Sequence, residues 1–208
     1  MRGVGLDPNL KASATCFNSG GAAIKPSKGV MTMRIKTILS AAVLSTALTL
    51  AQTVRAVLPE SLKGLDAIQA MELANNWGKG TGVQSFVTTD AVNFSFSSGQ
   101  QLKVALPRDR MVVAIAPYVN QTHPCKTHYM SSCQGELRET AVKVLAKTPD
   151  GKTLYQGTVR TMKNGFLELW LPRNLTLQVS LEAGGGSASG LITTYNSSDT
   201  CITTFQLR

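Results

Sequence analysis

Apolar and polar positions change their period along this chain, and the changes divide it. Leu62, Leu65, Ile68, Met71, Leu73 and Trp77 fall mostly at helical spacing, which predicts an amphipathic helix from about Ser61 to Asn76. Gly78-Lys79-Gly80-Thr81-Gly82 supplies its stop signal. From Val83 the period becomes two. Val87, Val92, Phe94 and Phe96 mark one or two strands, and Leu102, Val104 and Leu106 mark another that ends at Pro107. The unbroken apolar run Met111–Ala116 predicts a central strand buried on both faces. Ala141–Lys147 and Thr153–Thr161 flank Asp150-Gly151, a hairpin signal. Phe166, Glu168 and Trp170 are predicted on one face of a strand, with Leu167, Leu169 and Leu171 on the other. Leu175, Leu177, Val179 and Leu181 alternate, Gly184–Ser187 turns the chain, Leu191–Tyr195 returns, and Cys201–Leu207 closes it. About seven to nine short strands behind one helix predict a mainly β domain, an antiparallel sandwich or small barrel.

The first third follows neither period. Residues 1–30 are rich in Gly, Ala, Ser and Lys. Arg34 and Lys36 then precede an apolar run from about Ile38 to Ala51 and a small-residue end at Val54-Arg55-Ala56. This is the pattern of a secretory signal peptide, and the run is too short for a comfortable membrane span. The predicted organisation is an over-extended start at 1–30 and a signal peptide at 31–56 cleaved after Ala56. A helix and linker follow at 57–82, then a β-rich domain at 83–208. No stable membrane span is expected after cleavage.

Removing that leader changes the charge. The full chain carries 21 Lys and Arg against 12 Asp and Glu, a net of +9. Residues 1–56 hold seven of the bases and one acid, so 14 and 11 remain, a net of +3. No nucleic-acid partner is expected from so mild an excess. Cys16 leaves with the leader, and Cys125, Cys133 and Cys201 stay. An odd number of cysteines in an exported chain implies an intermolecular pair, a reactive thiol or a metal ligand.

Two of those cysteines share one segment with both histidines of the chain: His123-Pro124-Cys125-Lys126-Thr127-His128-Tyr129-Met130, then Cys133. Sulfur and imidazole hold copper(I), zinc and iron–sulfur centres. The spacing is neither a Cys-x-x-Cys redox motif nor a zinc ribbon. Three thiolates meeting at a loop mouth suit copper(I), with His123, His128 or Met130 completing or guarding the site; zinc is served by the same ligands. A Cys125–Cys133 disulfide worth roughly 2–3 kcal/mol is the structural alternative. Spacing leaves both readings open, and the third sulfur tilts them towards metal or redox use. A thiol redox protein cycling that disulfide, or a sandwich module that only binds other proteins, are the competing functions. Cys125 with His128 imitates a thiol nucleophile and base, but no Asn or Asp is placed to orient the base. No catalytic residues are therefore assigned.

Four separated blocks carry a family likeness. Ala116–Cys125, Cys133-Gln134-Gly135-Glu136-Leu137, Asn164-Gly165-Phe166 with Leu169–Arg173, and Thr200–Thr204 occur in that order and resemble the CueP family of periplasmic copper-binding proteins. The likeness spans about residues 60–208. It implies a periplasmic copper store or carrier that is not an enzyme, although thiol-linked copper(II) reduction is associated with the family. Its metal site is built on three cysteines, which match Cys125, Cys133 and Cys201, with His123 and His128 as helpers. The implied partners are a copper-donating exporter and a copper-accepting enzyme such as copper/zinc superoxide dismutase. A dimer through the N-terminal region is implied as well.

Overall fold

The computed structural model describes residues 60–208. The over-extended start at 1–30 and the signal peptide at 31–56 lie outside these residues. Helix α1 spans Ala67–Trp77 and buries Ala67, Ala70, Met71 and Ala74. It starts later than the expected Ser61. Asp66 accepts from the Gln69 amide and Gln69 reaches back to the Asp66 amide, a reciprocal cap that sets the first turn. Gly64, at φ 74°, has already turned the chain before it.

Among the described residues ten strands form three sheets: β1 Gln84–Val87, β2 Ala91–Ser95, β3 Gln101–Ala105, β4 Arg110–Ile115, β5 Ala141–Lys147, β6 Thr153–Arg160, β7 Leu167–Pro172, β8 Thr176–Ala183, β9 Gly186–Thr193 and β10 Cys201–Ile202. The orders are β1-β2-β3, β10-β4-β7 and β6-β5-β8-β9. The mainly β expectation holds, with three open sheets in place of a closed barrel among the described residues. Alternate positions of β5 and β8 (Val142, Val144, Ala146; Leu177, Val179, Leu181) enter one main core with Met71, Phe94 and the β7 leucines.

Two local readings change. The strand after Gly184-Gly185 begins at Gly186 rather than Leu191, pairing Ala183 with Gly186. Its first residues, Gly186-Ser187-Ala188-Ser189-Gly190, carry no apolar alternation to announce a strand. The final strand is parallel to β4, with Cys201 opposite Ala114 and Ile202 opposite Ile115. The chain continues alongside, and the Leu207 amide donates to the Tyr118 carbonyl at 2.7 Å.

That middle sheet positions the chemistry. Strand β4 is buried throughout from Met111 to Ile115, as its unbroken apolar run predicts. The β7 leucines join the main core. On the other side, Ala114, Ala116, Phe166 and Cys201 form a second buried cluster, against which Cys125, Cys133 and Met162 pack. Register puts Cys201, Ala114 and Glu168 in one row across three strands.

Candidate metal centre

The β4–β5 connection folds back over this row. Its return is tied to the strands by backbone bonds: the Val87 amide donates to the His128 carbonyl at 2.9 Å, and the Lys126 carbonyl accepts from the amides of Thr200 and Cys201 at 2.9 and 3.1 Å. Thr200 adds a buried link, its Oγ1 accepting from the His128 amide at 3.1 Å and donating to the Val87 carbonyl at 2.7 Å. These bonds bring Cys201, from the end of the chain, beside a loop some seventy residues earlier.

Cys125 and Cys201 are paired as a disulfide with Cα atoms 5.6 Å apart, and Cys133 is free. The alternative of a Cys125–Cys133 bridge is not what forms: the register of β10 carries Cys201 to Cys125. Cys133 nevertheless lies 3.6 Å from Cys125, sulfur to sulfur. Burial raises the Cys133 thiol pKa, partly offset by the Tyr129 amide donating to its sulfur at 3.4 Å.

The ligand atoms fall into two groups. Those of His123, Cys125 and Cys133 all lie within 4.8 Å of one another, and so do those of His128, Cys133 and Cys201. The first three side chains are half-buried. In the second group His128 is 0% and Cys201 1% exposed. All five side chains expected as ligands are thus brought into one cluster. Met130 is not: it is 2% exposed and belongs to the main core.

His128 is the telling residue. Both ring nitrogens are buried without a hydrogen-bond partner, and its ring packs on Phe166 with centroids 4.5 Å apart. Burial pushes its pKa down to about 3, so the imidazole is neutral and its lone pair is available to a metal. Glu168, missed as a site residue, stands 3.9 Å from Nε2. Burial pushes that carboxyl up to about 7, against a 2.8 Å bond from the Asn75 amide. Below that pH the proton belongs to the carboxyl rather than to the imidazole. The two groups form a neutral pair and not an ion pair. A lone carboxylate between Leu167 and Leu169 was the signal in the sequence.

The outer wall is held differently. Glu136 accepts from the amides of Val119, Asn120 and Gln121 at 2.6, 2.9 and 3.3 Å and from the Asn120 side chain at 3.1 Å. These donors, Asn120 foremost, pull its pKa down to about 2. Gly135 and Gly165 meet backbone to backbone: a methyl group on Gly165 would lie 2.5 Å from the Gly135 carbonyl oxygen. Gly165 also sits at φ 81°, where a side chain is strained. Only glycines let the Cys133 loop seat against the Asn164–Phe166 turn.

The chain matches the family model described as periplasmic copper-binding protein CueP over residues 66–206. It belongs to the CueP family. The crystal structure of S.CueP is similar, with a TM-score of 0.67 and 28% sequence identity over 72% of this chain and 93% of that one. The comparison with curated proteins returned no match. Periplasmic copper binding is thus the family's property, and no helix among the described residues is long and apolar enough to cross a membrane. The donor set fits copper: three sulfurs and two imidazoles, of which His128 is buried with no hydrogen-bond partner among the described residues.

Proposed function

We propose that this CueP-family protein carries or stores copper(I) on the thiolates of Cys125, Cys133 and Cys201, with His123 and His128 in reach. The observation that carries this reading is the orphaned, neutral imidazole of His128 beside two cysteine sulfurs. Burying a polar ring without a partner costs free energy, and a metal ion would supply the missing bond. Soft thiolates favour copper(I) over zinc, which the same residues can also hold. Copper is cargo here, and no catalytic step is assigned. The chain is exported by a signal peptide cleaved after Ala56, receives copper from an exporter and yields it to a periplasmic enzyme such as copper/zinc superoxide dismutase. These partners, and a dimer through the N-terminal region, rest on family resemblance.

The Cys125–Cys201 disulfide favours a second, compatible activity. Closing it from two thiols releases two electrons and two protons, enough to reduce two copper(II) ions. Its reduction potential tests whether this step can repeat: a value below about −300 mV marks a bond that is not reopened and leaves no room for cycling.

The test of the main reading is titration of the dithiol-reduced protein with copper(I) against a competing chelator. One tightly held copper per chain is expected, with a large loss of affinity in Cys201→Ser. Unchanged affinity in that variant overturns the role of the third sulfur.

A further inference from the structure

The five ligands make two overlapping positions rather than one. His123, Cys125 and Cys133 are all half-buried, while His128 and Cys201 are fully buried, His128 against the Phe166 ring and Cys201 in the second core cluster. Cys133 alone belongs to both groups. A shallow cavity of about 340 Å³ bounded by His123, Ser132, Cys133 and Gln134 opens on the outer group. In the inner group His128 and Cys201 have almost no contact with solvent, and only the shared Cys133 reaches that cavity.

We infer that copper(I) enters at the outer position and comes to rest at the inner one, with Cys133 as the pivot that never lets go. This rests on the copper-carrying reading and divides its labour. Copper(I) accepts few soft ligands, so two sulfurs and one imidazole suffice in either position. In the step inward the bonds to the Cys125 sulfur and the His123 nitrogen break. Bonds to the Cys201 sulfur and a His128 nitrogen form, and the Cys133 bond persists. The Cys201 thiol gives up its proton as it binds and the released Cys125 thiolate takes one up, so charge and protons balance and no electron moves. The disulfide in the structure joins one sulfur of each position. It leaves Cys133 as the single thiol of both, so the exchange belongs to the dithiol-reduced protein.

A site using all three thiolates at once predicts that Cys125→Ser and Cys201→Ser lose affinity alike. The two-position arrangement separates them. Mixing each reduced full-length variant rapidly with a copper(I)–chelator complex should show uptake slowed about tenfold or more in Cys125→Ser and in His123→Ala, with a smaller loss of equilibrium affinity than in Cys201→Ser. Cys201→Ser should take up copper at the normal rate but release it faster, with affinity down about tenfold or more. Both Cys variants change one small side chain. X-ray absorption on the loaded, reduced wild type gives a measure independent of any variant's folding, and two sulfurs with one nitrogen are expected. Three sulfurs without nitrogen, or equal affinity losses in the two Cys variants, overturns the relay and leaves copper carrying intact. Absence of copper binding in the wild type overturns both.

Discussion

Two carboxylates border the sulfur cluster and are shifted in opposite directions. Glu136 holds the outer loop as an anion that collects three backbone amides, and its pKa falls to about 2. Glu168 lies against the inner imidazole with a side chain only 13% exposed, receives one amide from Asn75, and its pKa climbs to about 7. The same functional group gives up its proton readily where it organises a loop and keeps it up to about pH 7 where it lines a core. Donors decide the first case and loss of water decides the second. The outer half is therefore a hydrogen-bonded clasp, and the inner half is a packed pocket built on a sheet.

That contrast is broken most severely by removing the packing. Phe166 is fully buried and carries the ring against which His128 rests. Phe166→Ala should cost about 3–5 kcal/mol of stability, as large-to-small changes in cores do. Denaturant unfolding measures the loss. Hydrogen exchange should show the damage concentrated around His128 and Cys201, with the Val119–Gln121 amides still protected by Glu136. Equal loosening of both halves would mean that the clasp depends on the pocket.

A second test isolates the neutral pair in copper-free protein. Between about pH 4.5 and 6.5 the folded state holds a proton on Glu168 and none on His128, whereas the unfolded chain holds one on the histidine and none on the carboxylate. The two states bind equal numbers of protons, so the pair contributes no pH slope. Glu168→Gln leaves the histidine alone, with its folded pKa lowered. Stability should then fall as pH drops below about 6.5, at a slope approaching about 1.4 kcal/mol per pH unit. His128→Asn leaves the carboxyl alone, with its folded pKa raised. Stability should instead increase as pH drops from about 7 to 4.5. Denaturant midpoints across that range check both signs, and parallel curves for the two variants would refute the neutral pair.

The two halves also differed in how far they could be read from the chain. The outer ligands His123, Cys125 and Cys133 sit within one segment that also holds the inner His128, so these four stand out by proximity alone. Strand β4 and the Asp150-Gly151 hairpin were equally plain, because continuous apolar burial and a turn dipeptide are local signals. What closes the inner half is register. Cys201, Ala114 and Glu168 form a row only because β10 runs parallel to β4 and β7 antiparallel to it. No local pattern specifies that row, so spacing brings Cys201 to the loop only as a third sulfur and offers Cys125–Cys133, not Cys125–Cys201, as the possible bridge. Glu168 was seen as one position of an alternating face, yet its service to His128 depends on three strands meeting. The Gly135–Gly165 contact is similar, since each glycine alone reads as an ordinary turn residue.

The smallest expected effect concerns the clasp itself. Glu136 has its folded pKa depressed from 4.5 to about 2, so the stability it contributes is present above about pH 4.5 and is lost as pH falls through 2. Glu136→Gln keeps an acceptor oxygen but not the charge, and places an NH2 group where amides now donate. The variant should be less stable than the wild type at neutral pH, and the gap should narrow as pH falls from about 4.5 towards 2. A gap that stays constant with pH would show that shape rather than charge holds the loop. Because His123 lies two residues beyond Gln121, the last amide in the clasp, loosening should reach the outer ligands first. Copper uptake should slow while release from the inner residues stays unchanged. A clasp whose loss altered release and not uptake would place the retained metal on the outer loop, reversing the assignment of the two halves.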